Sequence, residues 1–308
     1  MIKRVILTGA TGAIGMALIE ELIQNNVEML ILCRERSARN GNIPVHPLVT
    51  IKYCSLERLE SLQNDTGKEY DALYHFAWAG TMGNVRNDMY LQNKNVQYTL
   101  DAVGVAERFG CRTFSGAGSQ AEYGRVEGVL QENTPVFPEN GYGMAKLCAG
   151  QMSRVLCEQK GIRHIWARVL SVYGPYDNPN TMIMSTIGKL LRKEIPPLTK
   201  GEQKWDYLYS GDAARAFFLL AEKGRDGKIY CIGGGKAYPL VAYIQQLRDC
   251  IDKKAALGIG EIPYGSKQVM YLKADISELT KDTGFVPEYT FEIGIRNTVD
   301  WYKEYYDE

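Results

Sequence analysis

The sequence predicts an α/β fold: a doubly wound parallel sheet with helices on both faces and a smaller lobe toward the C-terminus. Three observations carry this. Apolar runs of strand length alternate with amphipathic stretches of helix length over residues 1–175, the pattern of repeated strand–helix–strand units. The first run closes on a turn with glycines at positions 9, 12 and 15 that opens directly into a helix. The 31 glycines among 308 residues suit many strand-to-helix turns, and the length suffices to bury a sizeable core.

Residues 3–8 are the first predicted strand, followed by the turn Gly9-Ala10-Thr11-Gly12-Ala13-Ile14-Gly15 and a helical pattern at 16–26. The apolar run 27–33 completes a strand–turn–helix–strand unit, the opening of a Rossmann-like sheet. A Gly-x-x-Gly-x-x-Gly turn in that setting brings backbone N–H groups to a pyrophosphate at a helix N-terminus. Gly9, Thr11, Gly12, Ala13, Ile14 and Gly15 are therefore candidate cofactor residues. The end of the second strand selects the cofactor, because a carboxylate there accepts from the ribose 2′-hydroxyl of NAD. Here Cys33 is followed by Arg34-Glu35-Arg36, which suits a 2′-phosphate. NADP(H), held by Arg34 and Arg36, is the favoured cofactor. NAD(H), with both arginines merely solvated, is the alternative.

Residues 49–56 give a third strand and 71–80 a fourth, apolar enough to be buried in a parallel sheet. His75, alone in that run, is expected to be a packed residue. Residues 91–110 form a long helix ended by Gly110. Asn93 and Asn95 are poor helix formers in its first half, so one of them is expected to face a ligand. The strand at 111–118 runs into Ser119, which places a hydroxyl at the carboxyl edge where open α/β sheets bind ligands. A proline-punctuated loop leads to the helix carrying Tyr142 and Lys146, and 162–175 is the next buried strand.

Beyond residue 175 the alternation slackens. Helices are expected in 180–196, 239–254, 275–285 and 291–306, a strand and helix with Asp212 across 204–224, and a strand with a glycine turn at 227–235. The predicted division is a dinucleotide-binding and catalytic domain at 1–175, then a mainly substrate-binding lobe at 176–308 with some segments returning to the sheet.

Composition excludes several function classes. The 36 basic and 36 acidic residues balance, so no global field draws the chain to nucleic acid or anionic membrane. No apolar stretch approaches a membrane span. The cysteines number seven, none in a C-x-x-C pair, which points to a reduced, cytoplasmic chain. The three histidines have no metal-ligand spacing. The short apolar run at the N-terminus ends in a glycine turn and reads as a strand, not a signal peptide.

Tyr142 and Lys146 are four residues apart, hence one turn apart on one face of a helix. An ammonium beside a phenol favours the phenolate. Such a tyrosine can give a proton to an alcoholate or take one from a hydroxyl.

Taken in order, residues 8–15 (TGATGAIG), 71–78 (DALYHFAW), Ser119, 142–146 (YGMAK), 168–175 (RVLSVYGP), 205–216 (WDYLYSGDAARA), 230–235 (YCIGGG) and 273–279 (KADISEL) resemble the extended short-chain dehydrogenases/reductases of the nucleotide-sugar epimerase, dehydratase and reductase group. The resemblance implies a catalytic triad of Ser119, Tyr142 and Lys146. Tyr142 would be the acid/base at a sugar oxygen. Lys146 would lower its pKa and hold the nicotinamide ribose, and Ser119 would bond the same sugar oxygen. Phe76 and Ala77 would line the cofactor, and Asn95 would orient the network. Trp78, Gln120, Ser171, Trp205 and Lys267 would meet the substrate; Glu122, unusual at its place in the strand end, either binds a sugar hydroxyl or is a plain polar loop residue.

Departures from the family pattern narrow the subgroup. The 4,6-dehydratases carry Asp-Glu after the catalytic hydroxyl residue, where this chain has Gln120-Ala121, so dehydration is disfavoured. Residues 118–124 (GSQAEYG) and 268–277 (QVMYLKADIS) look most like 4-keto-6-deoxy-sugar nucleotide reductases of the CDP-abequose synthase type and their dTDP relatives. The expected function is reduction at C4 of a CDP- or dTDP-linked 4-keto-6-deoxyhexose by NADPH. The alternative is an NAD-dependent 4-epimerase using the same triad. A non-catalytic dinucleotide-binding module needs the glycine turn but no triad. Homodimerisation through helices near 88–109 and 140–160 is a further family expectation.

Overall fold

In a computed structural model describing residues 1–306, the alternating pattern becomes β1 (Arg4–Thr8), α1 (Ala13–Gln24), β2 (Glu28–Cys33), β3 (Val49–Tyr53), β4 (Ala72–His75), α2 (Met89–Arg108), β5 (Thr113–Ser119), α3 (Gly141–Gln159) and β6 (Arg163–Val169). The chain continues through β7 (Ser171–Tyr173), α4 (Met182–Leu191), β8 (Pro197–Leu198), β9 (Lys204–Trp205), β10 (Tyr207–Tyr209), α5 (Ser210–Lys223), β11 (Lys228–Ile232), β12 (Tyr238–Pro239), α6 (Leu240–Ile251), β13 (Gly258–Ile259), α7 (Ser277–Thr283) and α8 (Phe291–Tyr306). The last two residues of the predicted second lobe, 307–308, lie outside the described residues.

Seven strands form one sheet in the order β11-β6-β5-β4-β1-β2-β3, with every neighbour parallel. The order reverses between β1 and β4, so their carboxyl ends flank the crevice where such sheets take ligands. Alternate residues of β1 go to opposite faces. Val5 and Leu7 pack with Leu18, Ile19, Phe217 and Leu220 of α1 and α5. Ile6 packs with Val103, Phe109 and Cys157 from the α2 and α3 side. Within the second predicted division, where some segments are expected to return to the sheet, β11 joins this sheet beside β6 and α5 packs in its core. The second lobe gathers α4, α6 and α8 around Ile183, Ile187, Leu247, Ile295 and Val299.

Local chemistry starts the two long helices. Asp88 caps α2 by accepting from Leu91 N (3.0 Å), and Asn140 caps α3 by accepting from Gly143 N (2.8 Å). Helix α3 lies very close to the end of β5. A Cβ on Gly143 would stand 2.3 Å from the carbonyl oxygen of Ala121, and one on Gly150 would stand 2.7 Å from the indole of Trp166. Both glycines therefore set the depth at which α3 delivers its side chains.

Candidate active site

A cleft of about 530 Å³ opens along the carboxyl ends of β1, β2 and β4. Gly9, with φ +76°, turns the chain under Ala77, where a Cβ would meet the backbone N at 2.4 Å. Gly15 packs as tightly, since its Cβ would lie 2.3 Å from the oxygen of Gly9. Gly12, by contrast, faces open space and begins α1 with no side-chain cap. The first amides of α1 are thus left to a ligand, which fits a pyrophosphate at a helix N-terminus. Gly9, Thr11, Gly12, Phe76, Ala77 and Trp78 line this cleft. Ala13 and Ile14 are the first residues of α1 and lie outside this lining.

At the far end, Cys33 and Arg34 line the cleft with Ser37, Arg39, Asn40 and Glu57. Arg36 is exposed and outside the lining. The short helical turn at 38–42 brings Arg39 round instead. Sequence reading stopped at the two arginines next to the strand and missed Ser37 and Arg39. Their signal was present: a short polar loop beside a strand end that already carried Arg34.

A second cavity of about 410 Å³ adjoins the strand end of β5, lined by Ser119, Gln120, Tyr142, Lys267, Arg86 and Arg125 among others. Ser119 and Tyr142 therefore share a wall with the predicted substrate residues Gln120 and Lys267. Trp205 is a half-buried donor to Ser171 Oγ (2.8 Å), and this pair lies outside the lining of both cavities.

The electrostatics of the triad differ from the sequence expectation. Tyr142 does not have its pKa lowered by Lys146: burial raises it above the usual tyrosine range, and Ser119 and Arg86 pull it back in part. The reason is geometric. Lys146 Nζ is 5.9 Å from the Tyr142 ring centroid. It donates to the carbonyl of Ala117 (2.6 Å) and sits 3.7 Å over the ring of Trp78. Arg86, which sequence reading missed, holds its guanidinium 4.5 Å over the Tyr142 ring. Its loop is pinned to α3 by Asn87, which accepts from Gly141 N (3.0 Å), and to α2 by Gln92, which donates to the carbonyls of Gly80 and Val85. Lys146 itself is 3% exposed, and burial pushes its pKa down to about 7.

Two further expectations are corrected or refined. Glu122 does not face the substrate cavity: it is fully buried and ion-paired to Arg168 at 2.7 Å, because its carboxylate turns inward under β5. Asn95 is buried and clamps the backbone of Ala79 at both N and O (2.9 Å each), so it shapes the cleft wall, while Asn93 is exposed. His75 is packed as expected, between Thr8 (3.0 Å) and Thr99 (3.4 Å). No metal-binding cluster and no helix long and apolar enough to cross a membrane occurs among the described residues.

Comparison with known proteins agrees with this geometry. Residues 5–233 match the NAD dependent epimerase/dehydratase family. An uncharacterized protein of Methanocaldococcus jannaschii is 25% identical, covering 98% of this chain and 97% of its own length. A dTDP-glucose 4,6-dehydratase of Streptomyces niveus is 23% identical over 98% of this chain and 93% of its own. Among solved structures, a UDP-N-acetylglucosamine 4-epimerase from Methanobrevibacter ruminantium M1 in complex with UDP-N-acetylmuramic acid aligns with a TM-score of 0.87 at 23% identity, covering 98% of this chain and 99% of that one. A UDP-glucuronic acid 4-epimerase from Bacillus cereus in complex with NAD aligns with a TM-score of 0.84 at 21% identity, with the same coverage. With its sheet, its glycine cleft and most of its length inside that family match, the chain belongs to the NAD dependent epimerase/dehydratase family of extended short-chain dehydrogenases/reductases and is an enzyme of nicotinamide-dependent chemistry.

Proposed function

We propose that the protein reduces the C4 carbonyl of a nucleotide-linked 4-keto-6-deoxyhexose, with NADP(H) as its cofactor. The observation that carries the reductase reading is the cleft at the end of β2. Where a carboxylate would take the ribose 2′-hydroxyl, the chain has Cys33, with Arg34, Ser37 and Arg39 as donors around it. Bound in this cleft, the nicotinamide supplies the hydride. Tyr142 protonates the C4 oxygen, and Ser119, on the same cavity wall as the phenol, fixes that oxygen beside it. Lys146, poised near neutrality, serves as the donor to the nicotinamide ribose. Lys267 and Arg125 on the cavity wall suit the diphosphate of a CDP- or dTDP-linked sugar. Gln120 supplies no carboxylate for removing water, so dehydration is left out of this reading.

A second reading, a 4-epimerase that retains NAD, is favoured by the family match and by solved relatives that hold NAD. The purified protein should be denatured and its released nucleotide identified, then titrated with NADPH and NADH. An empty site that prefers NADPH and loses that preference in Arg34→Ala/Arg39→Ala supports the reductase. Tightly retained NAD, indifferent to NADPH, moves the assignment to the epimerase. In either case Tyr142→Phe should keep cofactor binding and lose turnover by at least ~100-fold; unchanged turnover would sink the role of Tyr142. The free cysteines support a reducing cytoplasm. Exposed Met144, Met152 and Val155 on α3 support a homodimer packed there.

A further inference from the structure

The least expected feature of the site lies behind it. Glu122 is fully buried and Arg168 is 2% exposed. Glu122 Oε2 accepts from Arg168 Nε (2.7 Å). Its other oxygen accepts from the indole N–H of Trp166 (2.9 Å) and from the backbone N–H of Ser119 (2.8 Å). The guanidinium lies 4.4 Å over the ring of Tyr123 and donates to the carbonyl of Glu132 (3.3 Å). Tyr123 is tied in turn to the carbonyl of Gln131 (2.7 Å). Space is made for this cluster at the cost of any side chain on Gly118, whose Cβ would stand 2.4 Å from Trp166 Nε1 and 2.6 Å from Glu122 Oε1.

Stability alone does not call for a buried ion pair here, because apolar residues of similar volume commonly serve a core as well or better. What this pair does that a leucine cannot is grip the amide of Ser119. The Ser119 hydroxyl meanwhile accepts from Ala121 N (3.2 Å). Ser119 is thus held at its amide by Glu122 and at its side chain by Ala121, where β5 leaves the sheet, with its O–H proton free to point at Tyr142.

We infer that Glu122 is a positioning residue, which fixes Ser119 against Tyr142 through the Ser119 backbone amide, and that Arg168 keeps its carboxylate aimed. This rests on the assignment of Tyr142 as the acid/base. Charge follows the same geometry. The groups around Tyr142 are Arg86 from the loop before α2, Lys146 from α3, Glu122 from below, and Arg125, Glu139 and Lys267 across the shared cavity, and His75 on β4 faces Lys146. The Glu122 anion holds the ionisations of both Tyr142 and Lys146 up.

Two variants separate reach from charge. Glu122→Asp keeps the charge and its pairing with Arg168 but is a methylene too short to hold Ser119 as well. Glu122→Gln with Arg168→Met keeps an acceptor for the Ser119 amide, removes the charge and leaves no unpaired cation. Both are measured with dTDP-4-keto-6-deoxyglucose and NADPH, and with UDP-glucose and NAD. Tyr142 is followed without substrate by the NMR titration of tyrosine labelled with carbon-13 at Cζ, its resonance being the one lost in Tyr142→Phe.

The expected result for Glu122→Asp is a kcat lower by up to about 100-fold, the scale of a small misplacement of a reacting group, with cofactor binding unchanged and the Tyr142 titration moved to higher pH. The expected result for the double variant is a smaller loss of kcat than in Glu122→Asp, with the titration moved to lower pH. Wild-type titration curves in both variants, or changes in thermal stability alone, would overturn the inference. Activity surviving in Tyr142→Phe would instead overturn the assignment beneath it, so the two failures are distinguishable.

Discussion

The ammonium of Lys146 is buried against Ala117 and Trp78, with no carboxylate paired to it among the described residues. Its pKa in the folded chain is about 7, against 10.5 for a free lysine side chain. Below the folded value Lys146 is protonated in both states, and the folded state bears the full desolvation cost. Between the two values the unfolded chain binds the extra proton, so stability rises with pH through that window. Lys146→Met should therefore raise the melting temperature at neutral pH, by a margin that shrinks toward the unfolded value, while abolishing turnover. Loss of the donor to Ala117 takes back part of that gain. Melting curves across the pH series check this, and a variant less stable than wild type throughout would show that the lysine is not strained. Arg86 makes the complementary point, since the cation closest over the phenol comes from a loop and not from the helix that carries Tyr142.

At the scale of elements, the approach of α3 to β5 is set by what its glycines lack. Gly143 is one residue beyond Tyr142, and a methyl there would collide with the backbone of Ala121, which cannot rotate away. Gly143→Ala should destabilise the protein by about 1–3 kcal/mol despite alanine's better helix propensity. It should also lower kcat, because it lifts Tyr142 away from Ser119. Denaturant unfolding and kinetics on the same variant check it, and a stabilised, fully active Gly143→Ala would mean that α3 has freedom this packing denies. The caps tell the same story in reverse. Asn140 and Asp88 start α3 and α2 by accepting from the first backbone amides of each helix.

For the whole molecule, the cleft should make stability depend on the cofactor. A ligand that binds only the folded chain adds about 2.7 kcal/mol at a hundred times its dissociation constant. NADPH should raise the melting temperature more than NADH at equal concentration if Arg34, Ser37 and Arg39 hold a 2′-phosphate; an equal shift would count against them. The sheet, the glycine turn and the Ser119, Tyr142 and Lys146 positions were legible because they rest on local signals: period-two and period-3.6 patterns, glycines at fixed spacing, a hydroxyl at a strand end. The return of β11 to the sheet and of α5 to its core, after a stretch that looks like a separate lobe, leaves only a weak mark in sequence. The direction in which Glu122 turns, the reach of Lys146 to Ala117, and the arrival of Arg86 leave none at all. Sequence by itself determined the architecture, the glycine turn and the strand-end and helix positions of Ser119, Tyr142 and Lys146, because these are written in neighbouring residues. Only the tertiary structure decided which charge stands beside which group, because distance and burial between residues far apart in the chain set the energy of a charge.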